Sequence, residues 1–145
     1  MKIRKATIGD AKRILELLNS DSMLTTTDEL SYHPRHVKEY ILGKSFYTIV
    51  YIEDKKIVGV VMVNIFKIGK YAEFYNLVVD KNYRKHGIGK ELFDEIIKYL
   101  KKIKIKLVFL YTEETNNPVI KSMKKLKIRK GKKMYFYFQE LEWKL

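Results

Sequence analysis

Two hydrophobic periods take turns along the chain, and their order predicts its architecture. Lys2 to Ala6 reads as a short strand. Asp10 to Leu18 follows helical spacing, with Ile14, Leu15, Leu17 and Leu18 on one apolar face and Thr7 placed as a cap. The polar run from Asn19 to Leu30 predicts a loop or an irregular helix. Pro34 to Leu42 predicts a second helix, with proline in its first turn and Gly43 just past its end. Two β-rich runs follow, Phe46 to Ile52 and Lys56 to Phe66, joined by Glu53-Asp54-Lys55. Lys67-Ile68-Gly69-Lys70 then leads into a third, Tyr71 to Val79. After Gly87 the period lengthens: Ile88, Leu92, Phe93, Ile96, Ile97 and Leu100 share a helical face, while Lys90, Glu91, Asp94, Glu95 and Lys98 point away. Leu107 to Thr112 is an apolar strand. Asn117-Pro118 starts a helix carrying Val119, Met123 and Leu126, and Met134 to Trp143 reads as a closing aromatic strand.

The predicted order is β-α-α-β-β-β-α-β-α-β. Meander hairpins followed by a strand-helix-strand unit predict an α/β (α+β) fold, a mixed sheet with helices on its faces. Tyr71 to Thr112 should form a right-handed parallel crossover. No repeat, linker or shift in composition divides the chain, so residues 1–145 read as one domain.

Composition narrows the chemistry. There is no cysteine, which excludes disulfides, thiolate metal sites and cysteine nucleophiles. No His/Asp/Glu cluster has metal-ligand spacing. The start lacks an apolar signal core and no apolar run is long enough for a bilayer, so a soluble cytoplasmic protein is expected, monomer or homodimer, with no membrane partner. The net charge of +13 is unusual, and Lys98 to Lys133 alone carries a net +11. Such a field suits nucleic acid, an acidic protein or a polyphosphate, or it is simply a solvated lysine-rich surface.

The segment from Asn76 to Leu92 carries the most specific signal. A strand ends at Val79, a short loop follows, and a helix begins near Gly87. Gly87 and Gly89 let a ligand approach the backbone, the helix start offers unpaired N–H groups and dipole charge, and Arg84 and Lys85 add full charges. Together these make a cradle for phosphate or pyrophosphate. It is not the dinucleotide fingerprint, whose third glycine falls on Leu92, nor a P-loop, since Glu91 follows Gly89-Lys90.

Asn76-Leu77-Val78-Val79-Asp80, a short loop, and Arg84-x-x-Gly87-x-Gly89 before an apolar helix resemble the GNAT superfamily of N-acetyltransferases. The resemblance extends to the order of elements over essentially the whole chain. It implies a GNAT, or acyl-CoA N-acyltransferase, fold, with a mostly antiparallel sheet splayed between its fourth and fifth strands. It also implies acetyl-CoA as co-substrate and no metal. Backbone N–H groups of Arg84, Lys85, His86, Gly87, Ile88, Gly89 and Lys90 would hold the pyrophosphate. Leu77, Val78 and Val79 would line the pantetheine arm, and the Leu77 N–H would face the thioester carbonyl. Asn116 stands where the family often has an asparagine touching the cofactor; as a residue before Pro118 it is equally a cap or turn.

An attacking amine must lose a proton, and Glu73 is the candidate general base, where histone-type members of the superfamily carry theirs. Simple alternation puts Glu73, Tyr75, Leu77 and Val79 on one face. The tyrosine that the family commonly uses as acid falls on Met123, a core position, and no spacing selects Tyr111, Tyr135 or Tyr137 in its place. His33 and His36 flank the second helix on the acceptor side of such a fold, and His86 lies in the anion loop. The acceptor is a primary amine, on a peptide, a protein or a small molecule, and the basic charge disfavours polycations. Two other readings stand beside this one: a catalytically silent acyl-CoA-binding regulator, suggested by Met123, and a basic nucleic-acid-binding domain.

Overall fold

The computed structural model describes residues 2–20, 31–137, 139 and 141. They fall into two compact units, Met1–Tyr111 and Thr112–Leu145. In the first unit β1 (Ile3–Lys5) leads through a 3-10 turn (Ile8–Asp10) into α1 (Ala11–Asn19) and then α2 (Pro34–Leu42). The meander of β2 (Phe46–Glu53), β3 (Lys56–Phe66) and β4 (Tyr71–Val79) follows, then α3 (Ile88–Lys102) and β5 (Leu107–Phe109). The strands lie in chain order, β1-β2-β3-β4-β5. Every pairing is antiparallel except β4 with β5, which is parallel. This is the mixed sheet that the sequence predicts. The loop expected between Asn19 and Leu30 lies almost wholly outside the described residues.

Local chemistry sets the boundaries. Pro34 occupies the first turn of α2, where its missing N–H costs nothing, and the His33 N–H ahead of it donates to Nδ1 of His36 at 2.8 Å. Gly43 ends this helix by close approach, since a Cβ there would stand 2.5 Å from the Glu39 carbonyl oxygen. Asp54 and Lys55, both at positive φ, make a two-residue turn between β2 and β3.

The helices pack on opposite faces of the sheet. Ile14, Leu17 and Leu18 of α1 and Val37 and Tyr40 of α2 join Val50, Val60, Met62 and Val78 in one buried cluster. On the other face Ile88, Leu92, Ile96 and Leu100 form a four-residue-spaced stripe along α3 that meets Ile49, Val61, Val63 and Ala72. Burying each large aliphatic side chain contributes about 1.5–3 kcal/mol. A half-buried ion pair orders the start of α1: Asp10 accepts two bonds from Arg4, at 2.7 and 3.0 Å, and one from the Thr7 N–H at 2.8 Å.

The second unit contains α4 (Asn117–Lys125). Met134–Tyr137, Gln139 and Leu141, the described part of the expected closing strand, belong to no strand, and the rest of Met134 to Trp143 lies outside the described residues. Aromatic β-propensity needs a ladder to pair with, and Tyr135, Phe136 and Tyr137 are well exposed instead. No helix among the described residues is long and apolar enough to cross a membrane.

Candidate functional site

Strand β4 changes character along its length. Only Tyr71, Ala72 and Glu73 pair with β5. From Phe74 to Val79 that edge has no strand beside it among the described residues, while the other edge stays paired with β3. Asp80 N–H donates to the Val58 carbonyl at 2.7 Å, so alternation back along the strand turns the Val78 and Asn76 N–H groups toward β3. The N–H groups of Leu77 and Val79 therefore face the open edge. Arg84 folds back onto that edge, its Nε donating to the Val79 carbonyl at 2.9 Å.

The open edge ends at the start of α3. Gly87, at φ 82°, is the residue before the helix and offers no side-chain cap. The first bond inside the helix is Glu91 N–H to the Gly87 carbonyl, at 3.0 Å. Among the described residues, Ile88, Gly89 and Lys90 thus present N–H groups without a partner, at the positive end of a 15-residue helix. Lys85, at φ 66°, turns the loop ahead of Gly87, and His86 lies exposed between them. Gly89 sits over the side chains of Val79 and Leu77, where an added Cβ would make ordinary contacts at 3.8 and 3.9 Å. Lys90 directs its ammonium away from the loop, to Asp94 at 2.6 Å. The loop is braced from behind by Asp80, which accepts from Arg13 at 2.7 Å and from the Asn82 N–H at 2.9 Å. These bonds, the Asn82 N–H foremost, hold the Asp80 carboxyl below its usual range. An anion of pyrophosphate size fits this arrangement: donors are unspent, full charges stand beside them, and no side chain fills the space above Gly87.

One expectation about β4 needs correcting. Met62 pairs with Asn76 but Val63 pairs with Phe74, so Tyr75 is an extra residue, a β-bulge. The bulge reverses the alternation. Phe74, Leu77 and Val79 pack on the α3 face, where Phe74 also stacks on Phe93 at 5.3 Å. Glu73, between Ala72 and Phe74, turns to the α1/α2 face. So does Tyr75, which meets Tyr40 and Phe46, and so does Asn76, whose Nδ2 donates to the Tyr32 hydroxyl at 2.9 Å. Glu73 and Leu77 therefore send their side chains to opposite faces, although the Leu77 N–H still points to the open edge. Burial raises the Glu73 carboxyl above its ordinary value, and no cation among the described residues offsets the effect.

The same face holds a residue that the sequence reading passed over. Asn64 stands opposite Glu73 on β3, and its Oδ1 is buried without a hydrogen-bond partner. The available signal was a single polar residue inside an otherwise apolar run from Ile57 to Phe66. Other candidates do local work. Asn116 caps α4 by accepting from the Val119 N–H at 3.4 Å, and Met123 is half-buried on that helix; both belong to the second unit. His36 supports the start of α2 as described.

A model of the acetyltransferase (GNAT) family matches residues 12–127. Among solved structures, a possible acetyltransferase from Clostridium difficile 630 superposes with a TM-score of 0.82 at 20% identity, covering 97% of this chain and 98% of that one. An aminoglycoside acetyltransferase from an uncultured soil metagenomic sample, solved with sisomicin, gives 0.78 at 19% identity over 97% and 96%. The PaiA N-acetyltransferase of Thermoplasma acidophilum, solved with coenzyme A, gives 0.68 at 21% identity over 86% and 87%. At these identities the likeness to the solved structures is one of fold.

Proposed function

Because the chain belongs to the GNAT acetyltransferase family, we propose that it moves an acetyl group from acetyl-CoA to a primary amine by direct attack. The observation that carries the reading is the continuity of one edge. Unpaired N–H groups of Leu77 and Val79 run directly to the unpaired N–H groups of Ile88, Gly89 and Lys90. An acyl-CoA offers a matching series: a thioester carbonyl, an amide-bearing arm and a pyrophosphate. Leu77 N–H serves the thioester oxygen, Val79 lines the arm, and the backbone from Arg84 to Lys90 holds the phosphates; Val78, expected beside the arm, instead turns its N–H to β3 and buries its side chain on the α1/α2 face. The two units serve one activity, since the matching family model runs across the boundary between them.

The amine arrives as an ammonium, with a reference pKa of about 10.4, and must surrender a proton before its lone pair can attack. Glu73 takes that proton, directly or through a water. Its raised pKa makes it a better base than a fully solvated carboxylate. The nitrogen then bonds to the carbonyl carbon, negative charge gathers on the oxygen beside the Leu77 N–H, and the carbon–sulfur bond breaks as the nitrogen gives up its second proton to water. The departing thiolate, with a reference pKa of about 8.5, takes its proton from solvent, so Met123 in place of a tyrosine does not block the reaction.

The test is calorimetric titration with acetyl-CoA, followed by thiol release over a panel of primary amines. Micromolar binding with amine-dependent thiol release is expected. Binding without release from any amine would favour the silent regulator. No binding, together with salt-sensitive affinity for DNA or RNA, would favour the nucleic-acid reading.

A further inference from the structure

Beyond the cover of α1 and α2, the sheet face that bears Glu73 carries one polar pair between two groups of aromatic rings. On one side Tyr40, Phe46 and Tyr75 meet edge to face, with centroids 5.2 to 6.0 Å apart. On the other, Phe66 stacks on Tyr71 at 4.7 Å, Tyr71 lies 5.8 Å from Phe109, and Phe109 meets Tyr111 at 5.5 Å. Asn64 and Glu73 sit between them as cross-strand partners. Phe66, Tyr75 and Tyr111 are 37%, 41% and 65% exposed, so a solute can reach both groups of rings.

Each member of the polar pair is unfinished. A buried carbonyl oxygen without a donor, as at Asn64 Oδ1, is a state that folded proteins rarely leave uncompensated. Glu73 is half-buried and has no Lys, Arg or His partner among the described residues, in a chain whose net charge is +13. The Asn64 oxygen and the Glu73 carboxylate both ask for donors, and among the described residues no hydrogen bond joins the two side chains. An ammonium is the matching species, with three N–H donors and no acceptor. Ring faces beside it favour a cation and an apolar or flat body over a polar one.

We infer that Asn64 is a specificity-determining residue for the acceptor: its Oδ1 and the Glu73 carboxylate together hold the ammonium of a small primary amine whose apolar or aromatic body lies against Tyr71, Tyr75 and Phe109. This rests on the acyl-transfer reading and narrows its acceptor class. A single ammonium satisfies the pair. A second cationic centre on the same acceptor would find rings in place of a second carboxylate, and would be repelled by the protein's net charge.

The probe is 2-phenylethylammonium at pH 7, with neutral 2-phenylethanol as its isostere, added to full-length protein labelled with ¹³C at glutamate carboxyls. The amine should shift the Glu73 carboxyl resonance saturably and the alcohol should not. Asn64→Leu should weaken that binding about tenfold or more, as loss of a hydrogen bond to a charged group predicts. Asn64→Asp, which keeps an acceptor at the position, should retain binding and shows that the site tolerates change. Acetyl-CoA titrated into the same proteins should bind wild type and Asn64→Leu alike. The inference is overturned by equal amine affinity in wild type and Asn64→Leu, by equal binding of the alcohol, or by no saturable shift. Failure of acetyl-CoA to bind wild type would instead sink the acyl-transfer reading, whatever the amine does.

Discussion

The two faces of the sheet are built from different materials. On the α3 face the buried cluster is aliphatic apart from Tyr51, whereas the buried Thr48 and Asn76 both lie on the α1/α2 face. The α1/α2 face accepts polarity where neighbours can hold it: Thr48 Oγ1 donates to the Tyr40 carbonyl at 2.7 Å, and Asn76 to the Tyr32 hydroxyl. Farther along, that face opens into rings, Asn64 and Glu73. One face is shut against α3 and the other carries exposed rings beyond its helices, and β4 serves both because Tyr75 reverses its alternation midway. Substitutions on the two faces should therefore fail in different ways.

Glu73→Gln should have the largest effect and none of it on stability. Turnover should fall by about 10²–10⁴-fold, the usual contribution of a positioned base, with acetyl-CoA affinity unchanged. The sign of the stability effect follows from burial. The folded-state pKa is raised, so ionised Glu73 weakens the fold once pH rises through that value, and a neutral glutamine at pH 7 should leave the melting temperature equal or slightly higher. For the same reason the acid limb of the kcat profile should lie above the ordinary carboxylate range. A melt that drops with turnover would make Glu73 structural.

Leu92→Ala is the counterpart on the shut face. Leu92 is fully buried between α3 and the sheet, and its truncation should cost about 2–5 kcal/mol in denaturant unfolding. Folded enzyme below the midpoint should keep its kcat. Loss of turnover before any loss of fold would show that the α3 face is coupled to the chemistry.

Asp10→Asn tests a charge held far from the reaction. The Arg4 guanidinium, with the Thr7 N–H, keeps the Asp10 carboxyl below its usual value, against the opposing effect of burial. Its stabilisation is present above the unfolded-state pKa and is lost as pH falls through the folded-state value. The substitution should cost about 1–2 kcal/mol at pH 7, and the gap from wild type should close on acidification. A gap that stays constant into strong acid would mean that packing, not charge, is what the substitution removes.

What the sequence revealed follows the same division. Strands β3 and β4 and helix α2 are found at the boundaries that period and turn chemistry predict, because alternation and capping are local properties. The loop before α3 was legible for the same reason: glycines, charge and a helix start lie within a few residues of one another. The bulge at Tyr75 was not. It contains no glycine and reads as one more aromatic in a strand, and it exists because β3 and β4 pair at both ends with unequal counts of residues between. That is a property of two strands, so a reading of β4 alone put Glu73 and Leu77 on one face. Asn64 was hidden in the same way, since an asparagine in an apolar run becomes informative only when its oxygen is seen to lack a donor. The closing strand depended on a partner ladder, and aromatic composition cannot specify one.

The smallest expected loss of stability, at Gly87, separates the two regions most cleanly when the same substitution is made at Gly59. Gly59→Ala would place a Cβ 2.9 Å from Leu92 Cδ1 and 3.3 Å from Ile88 Cγ2, on the shut face. Overpacking of that kind costs about 1–3 kcal/mol unless α3 gives way. Gly87→Ala meets nothing within 4 Å, so its cost is the left-handed backbone alone, about 1 kcal/mol. The Gly87 variant should melt only a few degrees below wild type, while its acetyl-CoA affinity falls as the loop relaxes from φ 82° and its N–H groups lose their common direction. Gly59→Ala should show the reverse, a larger loss of stability with affinity preserved. Equal losses of affinity in the two variants would mean that the loop's donors are not what binds the cofactor, and the continuous edge from Leu77 to Lys90 would lose its phosphate end.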